Sequence, residues 1–362
     1  MKALIVAGGT GGHIYPALEV ARAFNDSGAE IHWIGKDQSL EKEICYQENF
    51  NFYRIKSEGF RNKSFIKKLI SVILLQLSLI HSFLLLIRIK PDFVFCCGGY
   101  ITLGPGLLSA FLRIPLFIHE QNSIPGTANK FLSHFSDYVF EGFPSAFKES
   151  GKTVFVGNPV RREIIASQYE KSNSNSGKEF NLLILGGSQG SQQLNSILMT
   201  ALSKIEDFSD WRITHQTGKE DEERLQSFYS DLNVKSLVVP FINDMGSAYS
   251  SADLVISRAG AMTIAELAVS NKASILLPFP WATDNHQYYN AMYLKEHGAA
   301  EVLMTNTSIS LSDSTRLLNI LLDLSSNTKK RLSMADSAKL CSVPEVTDKI
   351  YKLINESIKK IS

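Results

Sequence analysis

The 362-residue chain is poor in cysteine and carries no surplus of either charge. Its four cysteines, Cys45, Cys96, Cys97 and Cys341, form no C-x-x-C pair, and Cys96-Cys97 closes an apolar, strand-like run; this is the usage of a reducing cytoplasm rather than a disulfide framework. Lys and Arg number 37 against 36 Asp and Glu, so no basic excess points to nucleic acid and no acidic excess to a cationic partner. D-x-D and H-E-x-x-H patterns are absent, so the sequence requires no bound metal, and it calls for no cofactor. The opening MKALIVAGGT has too short an apolar stretch for a signal h-region and runs straight into glycines, so it reads as a first strand.

What is present is an ordinary globular composition, 44% hydrophobic and 20% charged, in a chain long enough for two domains of roughly 150–200 residues each. Short β-rich runs alternate with helical patterns: KALIVA, EIHWIG, DFVFCC, IPLFIHE and DYVFEG in the first half, then NLLILG, WRITHQT, SLVVP, DLVISR, ASILLP and AAEVLM. Such alternation predicts parallel βα units, restarting after Val160. The polar stretch YEKSNSNSGKEF (169–180) reads as a solvated loop, with a hinge around Gly157 to Arg162. The fold class expected is α/β, two Rossmann-like domains facing a cleft. The domains run over 1–160 and 161–343, and a C-terminal helix over 344–362 packs back on the first.

The glycines are concentrated where such folds bind anions. GGTGGH (8–13) follows the first strand and precedes a helix, a geometry in which glycines let backbone N–H groups approach an anion and the helix N-terminus adds a favourable dipole. Pro16 suits the first helical turn, where its missing N–H costs nothing. The pattern departs from the dinucleotide G-x-G-x-x-G at Ile14, and no acidic residue ends the second strand; taken alone it also suits a tight turn. CCGGYITLGPG (96–106) and GGSQGSQQLN (186–195) repeat the arrangement, with Ser188 offering a hydroxyl to phosphate and Gln189 or Asn195 as caps. Together the three loops predict diphosphate ligands.

Other side chains suit the same chemistry. His13, at the mouth of the first loop, can take a proton from a hydroxyl near neutral pH, or else cap or pack. Arg161 in NPVRREI can clamp a diphosphate bidentately, with a plain surface charge as the alternative. In SRAGAMTIAELA, Gly260 opens a helix and Glu266 follows about one and a half turns on, placed to accept ribose hydroxyls or merely to be solvated. PFPWATDNHQ gathers Asp284, Asn285, His286 and Gln287, hydrogen-bonding groups that suit a sugar.

GGTGGHIYPAL, GGY, HEQN, GNPVR, GGSQGS, SRAGAMTIAEL and PFPWATDNHQ, in this order along nearly the whole chain, resemble the MurG family of bacterial UDP-N-acetylglucosamine:lipid I N-acetylglucosaminyltransferases. The resemblance implies a glycosyltransferase-B architecture with the acceptor in the N-terminal domain and UDP-GlcNAc mainly in the C-terminal one. It implies that Thr10, Gly11 and Gly12 line the site together with Gly98, Gly99 and Tyr100 of the second loop. Asn122 would contact the donor, and Arg161 and Ser188 its phosphates. Ile242 would meet uracil through its backbone, Gln287 would read the sugar hydroxyls, and the turn Ala261, Met262, Thr263, Ile264, Ala265, Glu266 would bind diphosphate and ribose. His13 would be the general base of an inverting, metal-independent transfer to the muramyl 4-hydroxyl of lipid I, an undecaprenyl-diphosphate-linked muramyl peptide, giving lipid II for peptidoglycan; Glu120 is a second candidate base. A related transferase using another lipid acceptor such as diacylglycerol, and a non-catalytic nucleotide-binding membrane scaffold, are the alternatives.

Leu69 to Ile87 carries no Asp, Glu, Lys or Arg and reaches membrane-spanning length. It stands between strands of one parallel sheet, so a spanning helix would strand the next β-element across the bilayer. Arg61, Lys63, Lys67, Lys68, Arg88 and Lys90 rim it, and such charges add about 1 kcal/mol each against anionic head groups. The expectation is a peripheral protein on the cytoplasmic face of the inner membrane, touching its anionic leaflet; a helix that only packs on the sheet is the alternative.

Overall fold

The computed structural model describes residues 1–37, 39–55, 65–168, 179–187, 190–306 and 310–361, with backbone alone for 65–75 and 361. The chain forms two compact units, Met1–Pro159 together with Val343–Ser362, and Val160–Ser342.

In the first unit seven strands form one sheet: β1 (Lys2–Val6), β2 (Glu30–Gly35), β3 (Asn51–Arg54), β4 (Phe93–Cys96), β5 (Leu116–Glu120), β6 (Tyr138–Glu141) and β7 (Thr153–Phe155). Their order is β3-β2-β1-β4-β5-β6-β7 and every pairing is parallel. The central strands are largely apolar because helices cover both faces of a parallel sheet. Ala3 to Val6, Phe93 to Cys96 and Leu116 to Ile118 are fully buried. β7 lies on a short run that the strand pattern did not single out, three half-exposed or exposed residues at the sheet's edge. The covering helices are α1 (Gly11–Asp26), α2 (Leu40–Gln47), α3 (Phe65–Ile89), α4 (Leu103–Phe111) and α5 (Thr127–Leu132).

The second unit repeats the plan with β8 (Phe180–Leu185), β9 (Trp211–Gln216), β10 (Lys235–Val239), β11 (Leu254–Ser257), β12 (Ser274–Leu276) and β13 (Ala300–Val302), all parallel in the order β10-β9-β8-β11-β12-β13. Its helices are α6 (Arg162–Ser167), α7 (Gln192–Leu202), α8 (Glu222–Asp231), α9 (Met245–Ser251), α10 (Ala261–Val269), α11 (His286–Glu296), α12 (Leu311–Ser326) and α13 (Thr328–Leu340).

Helix α1 starts at Gly11, so Pro16 sits in the second turn and not, as the sequence suggested, in the first. There it removes the bond that an N–H would give the Gly12 carbonyl. Helix α14 (Val346–Ile361) returns the chain to the first unit. Val346, Ile350 and Ile354 are buried in the same core as Phe24 of α1, and the Tyr351 ring lies 4.9 Å from that of Phe24.

On α3, Ser82, Leu85, Leu86 and Ile89 are buried, with Ser82 and Ser78 against Gly104 of α4, where a Cβ would meet their hydroxyls at 3.1 and 3.3 Å. The opposite stripe, Leu77, Ile80, Leu84 and Ile87, is exposed at helical spacing. Among the described residues no helix is long and apolar enough to cross a membrane. Arg61 and Lys63 lie outside the described residues, and the side chains of Lys67 and Lys68 are likewise not described.

Because α14 supplies core to the first unit, Ile350→Ala is expected to cost that unit about 2–5 kcal/mol. Calorimetry checks this: the transition of Met1–Pro159 with α14 moves down while that of the second unit stays in place.

Candidate active site

Both sheets reverse their winding direction once, between β1 and β4 and between β8 and β11. Ligands of open α/β sheets bind at this point, outside the carboxyl ends of the strands. GGTGGH leaves β1 and the Gly98-Gly99-Tyr100 turn leaves β4, so these two loops flank the reversal in the first unit; Gly186–Ser191 leaves β8 and Arg258–Gly260 leaves β11 in the second.

In the first unit Gly9 and Thr10 are exposed, Gly12 and His13 half-buried, and Gly11 buried at the start of α1. Gly98 and Gly99 have φ of +90° and +80°, a conformation open to glycine. A Cβ at Gly98 would come within 3.2 Å of the His13 ring, so the turn also makes room for that imidazole. His13 Nδ1 lies 2.8 Å from Gln121 Oε1. The amide of Gln121 lies 2.9 Å from His119 Nδ1 and 3.2 Å from the His119 carbonyl, and His119 Nε2 is 3.0 Å from the Gly157 carbonyl. His119 is fully buried, which pushes its pKa down to about 4.

Glu120 has a different task from the one its chemistry suggested. Its carboxylate is buried and fully engaged: Oε1 accepts from the backbone and side-chain N–H groups of Asn122 at 3.0 and 3.2 Å, and Oε2 from Gly126 N and Asn129 Nδ2 at 3.0 and 2.9 Å. Four donors fill the roughly four lone-pair sites of a carboxylate. Glu120 therefore anchors the Asn122–Asn129 loop and is not placed as the base.

In the second unit Gly260 precedes α10 with extended φ/ψ, and Glu266 is buried within the helix. Glu266 Oε1 accepts from Arg161 Nη2 at 2.9 Å and Oε2 from the Tyr249 hydroxyl at 3.0 Å. One nitrogen of the Arg161 guanidinium is thus engaged by a carboxylate within its own unit. The amide of Ile242 donates to Gln216 Oε1 at 3.0 Å. Gln287 Oε1 accepts from Phe279 N at 3.0 Å, which fixes the orientation of its amide. Ser188 lies outside the described residues. Ala261, Met262 and Ile264 are buried on the first turn of α10, while Thr263 and Ala265 are half-buried.

Two residues escaped the sequence reading. Gln121 stood inside the HEQN stretch without a role, although it is the residue that touches His13. Arg258, one residue before the Ala259-Gly260 step, is buried; its Nε and Nη2 donate to Ser191 Oγ, Nη2 also to Gln193 Oε1, and Nη1 to the carbonyls of Leu277 and Pro278. All these acceptors are neutral, its guanidinium lies 5.5 Å from the centre of the Phe279 ring, and among the described residues no carboxylate pairs with it; burial pushes its pKa down to about 10, still charged at neutral pH. A basic residue beside an anion-binding loop was the available signal.

Residues 3–141 match the glycosyltransferase family 28 N-terminal domain and 181–350 the glycosyltransferase family 28 C-terminal domain. A Coxiella burnetii protein named UDP-N-acetylglucosamine--N-acetylmuramyl-(pentapeptide) pyrophosphoryl-undecaprenol N-acetylglucosamine transferase is 36% identical over 96% of both chains. A protein of the same name from Pseudomonas savastanoi pv. phaseolicola is 38% identical over 98% of both. The crystal structure of Acinetobacter baumannii MurG superposes with a TM-score of 0.77 at 32% identity, covering 98% of this chain and 100% of that one. The chain belongs to the MurG family. It is therefore a glycosyltransferase built from two parallel-sheet α/β domains of the glycosyltransferase-B kind. Among the described residues no three His, Cys, Asp or Glu side chains of this MurG-family chain cluster to hold a metal ion.

Asn195, in the first turn of α7, belongs to a buried network: its Nδ2 donates to Asp221 Oδ2 at 2.7 Å, and His215 lies 3.1 Å from Asn195 Oδ1 and 2.9 Å from the Tyr229 hydroxyl. Burial holds the His215 pKa at about 3. An unfolded histidine titrates near 6.5, so between those values the unfolded state binds the extra proton, and stability is lost as pH is lowered, by up to about 1.4 kcal/mol per unit. The second unit is expected to lose stability from pH 6.5 to pH 5 in urea titrations, and His215→Gln to flatten that slope whatever it costs at pH 7.

Proposed function

We propose that this chain transfers GlcNAc from UDP-GlcNAc to the muramyl 4-hydroxyl of lipid I, with inversion, giving lipid II. The observation that carries the reading is an imidazole, His13, whose Nε2 has no partner among the described residues, beside two glycine loops at the winding reversal of the first unit. His13 takes the hydroxyl proton as the oxygen attacks the anomeric carbon; the bond from that carbon to the diphosphate breaks and its electron pair leaves with UDP. The N–H groups opening α7 and α10, with the charge of Arg258, meet the diphosphate without a metal. Glu266 receives ribose through the second lone pair of each oxygen, the Ile242 carbonyl receives uracil, and Gln287 and Asn122 contact the sugar.

Thr10, Gly11 and Gly12 with the Gly98–Tyr100 turn cradle the lipid diphosphate, a group that a diacylglycerol acceptor lacks. Access to that acceptor requires, on this reading, a peripheral position on the cytoplasmic face of the inner membrane. The exposed stripe Leu77, Ile80, Leu84 and Ile87 of α3, with Phe111 of α4, supports membrane contact.

UDP release from UDP-GlcNAc with a short-chain lipid I analogue, chelator present, tests the reading. Wild type is expected to turn over, and His13→Ala to lose about 10²–10⁴-fold while retaining UDP-GlcNAc binding. Full activity in His13→Ala, or turnover with diacylglycerol in place of the lipid I analogue, overturns it. Separately, Ile80→Glu with Leu84→Glu is expected to weaken cosedimentation with anionic vesicles while leaving UDP-GlcNAc affinity unchanged.

A further inference from the structure

The contacts from His13 to Gly157 leave one consistent assignment of protons. The Gly157 carbonyl can only accept, so His119 Nε2 must carry the hydrogen between them. His119 is fully buried and the groups it touches are an amide and a carbonyl, with no carboxylate to pair an imidazolium; it is therefore neutral and its Nδ1 holds a lone pair. A lone pair there needs a donor, so the NH₂ end of Gln121 faces it, an orientation reinforced by the His119 carbonyl on the same side. The oxygen end of Gln121 then points at His13, and an amide oxygen can only accept. His13 Nδ1 must carry hydrogen, and the basic lone pair of the neutral ring falls on Nε2, which has no protein partner among the described residues.

We propose that Gln121 and His119 are positioning residues which lock His13 in its Nδ1–H form, so that Nε2 is the nitrogen that removes the acceptor's proton. This rests on His13 being the base. The lock runs through side chains alone from a backbone carbonyl, Gly157, whose own φ of +89° sets the direction of that carbonyl. His119 is the other titratable ring in electrostatic reach of His13, and it works as a neutral spacer. Glu120, next to it in sequence, is turned into its own loop and lends His13 no hydrogen bond. The chain thus orients its base with an amide where a carboxylate would also stabilise the imidazolium.

Two variants and one spectrum test this. In ¹⁵N-histidine-labelled protein above pH 8, His13 is expected to show a protonated Nδ1 and an unprotonated Nε2. Gln121→Leu, which removes both contacts, is expected to mix the two tautomers and lower kcat by at least about tenfold and by no more than the 10²–10⁴-fold that a general base supplies, with KM for UDP-GlcNAc unchanged. Gln121→Glu keeps an acceptor for Nδ1–H and is expected to regain much of kcat while moving the acidic limb of the pH profile upward, since a carboxylate favours the charged ring. A protonated Nε2 on His13 in the wild type overturns the proposal, as does Gln121→Leu with wild-type kcat and pH profile. The spectrum is read on the resting protein. A wild type with the expected tautomer but no transfer to lipid I therefore overturns the functional reading and leaves the proton assignment standing.

Discussion

Parallel pairing is the constraint on which everything else in this protein hangs. When all strands of a sheet run one way, all of them end at one edge, and whatever follows them is gathered there regardless of distance along the chain. His13, Gly98 and Gln121 come from loops after β1, β4 and β5, yet the imidazole touches the amide at 2.8 Å and crowds the glycine. In the second unit the same rule brings Ser191, Arg258 and Pro278 together from loops after β8, β11 and β12. The cost of the arrangement is sheets apolar on both faces, which is why the strands read as unbroken hydrophobic runs.

That is also why so much of the fold was legible. A buried parallel strand announces itself locally, and so does a glycine loop, because both are properties of a few consecutive residues. β7 did not announce itself, being three residues at an edge where burial is incomplete and little apolar patterning is needed. Pro16 misled by one turn because a proline marks the neighbourhood of a helix start without fixing its residue. Glu120 looked like a base because a carboxylate beside a histidine is a common acid–base pair. Only the fold shows four donors converging on it from a loop two to nine residues further along. Gln121 was invisible in its role because its partner is 108 positions away. Side-chain polarity in sequence says that a group will be bonded, not to what.

The two units treat charge differently. Around His13 the partners are neutral, and proton positions follow from which atoms can only accept. In the second unit charges are set in pairs or left deliberately single: Arg161 is matched by Glu266, while Arg258 is surrounded by hydroxyl, amide and carbonyl oxygens. A cation fixed by neutral groups costs desolvation in the empty protein, and an arriving anion offsets it.

The return of α14 to the first unit makes the second an insertion within it, and this has a bearing on synthesis. A ribosome working at roughly 5–20 residues per second takes roughly 10–40 s to emit the second unit. Throughout that interval the face of α1 around Phe24 lacks the isoleucines that cover it, although its sheet is already complete. The first unit therefore keeps an open apolar seam while the second is made, and the seam closes only when Ile350 and Ile354 emerge.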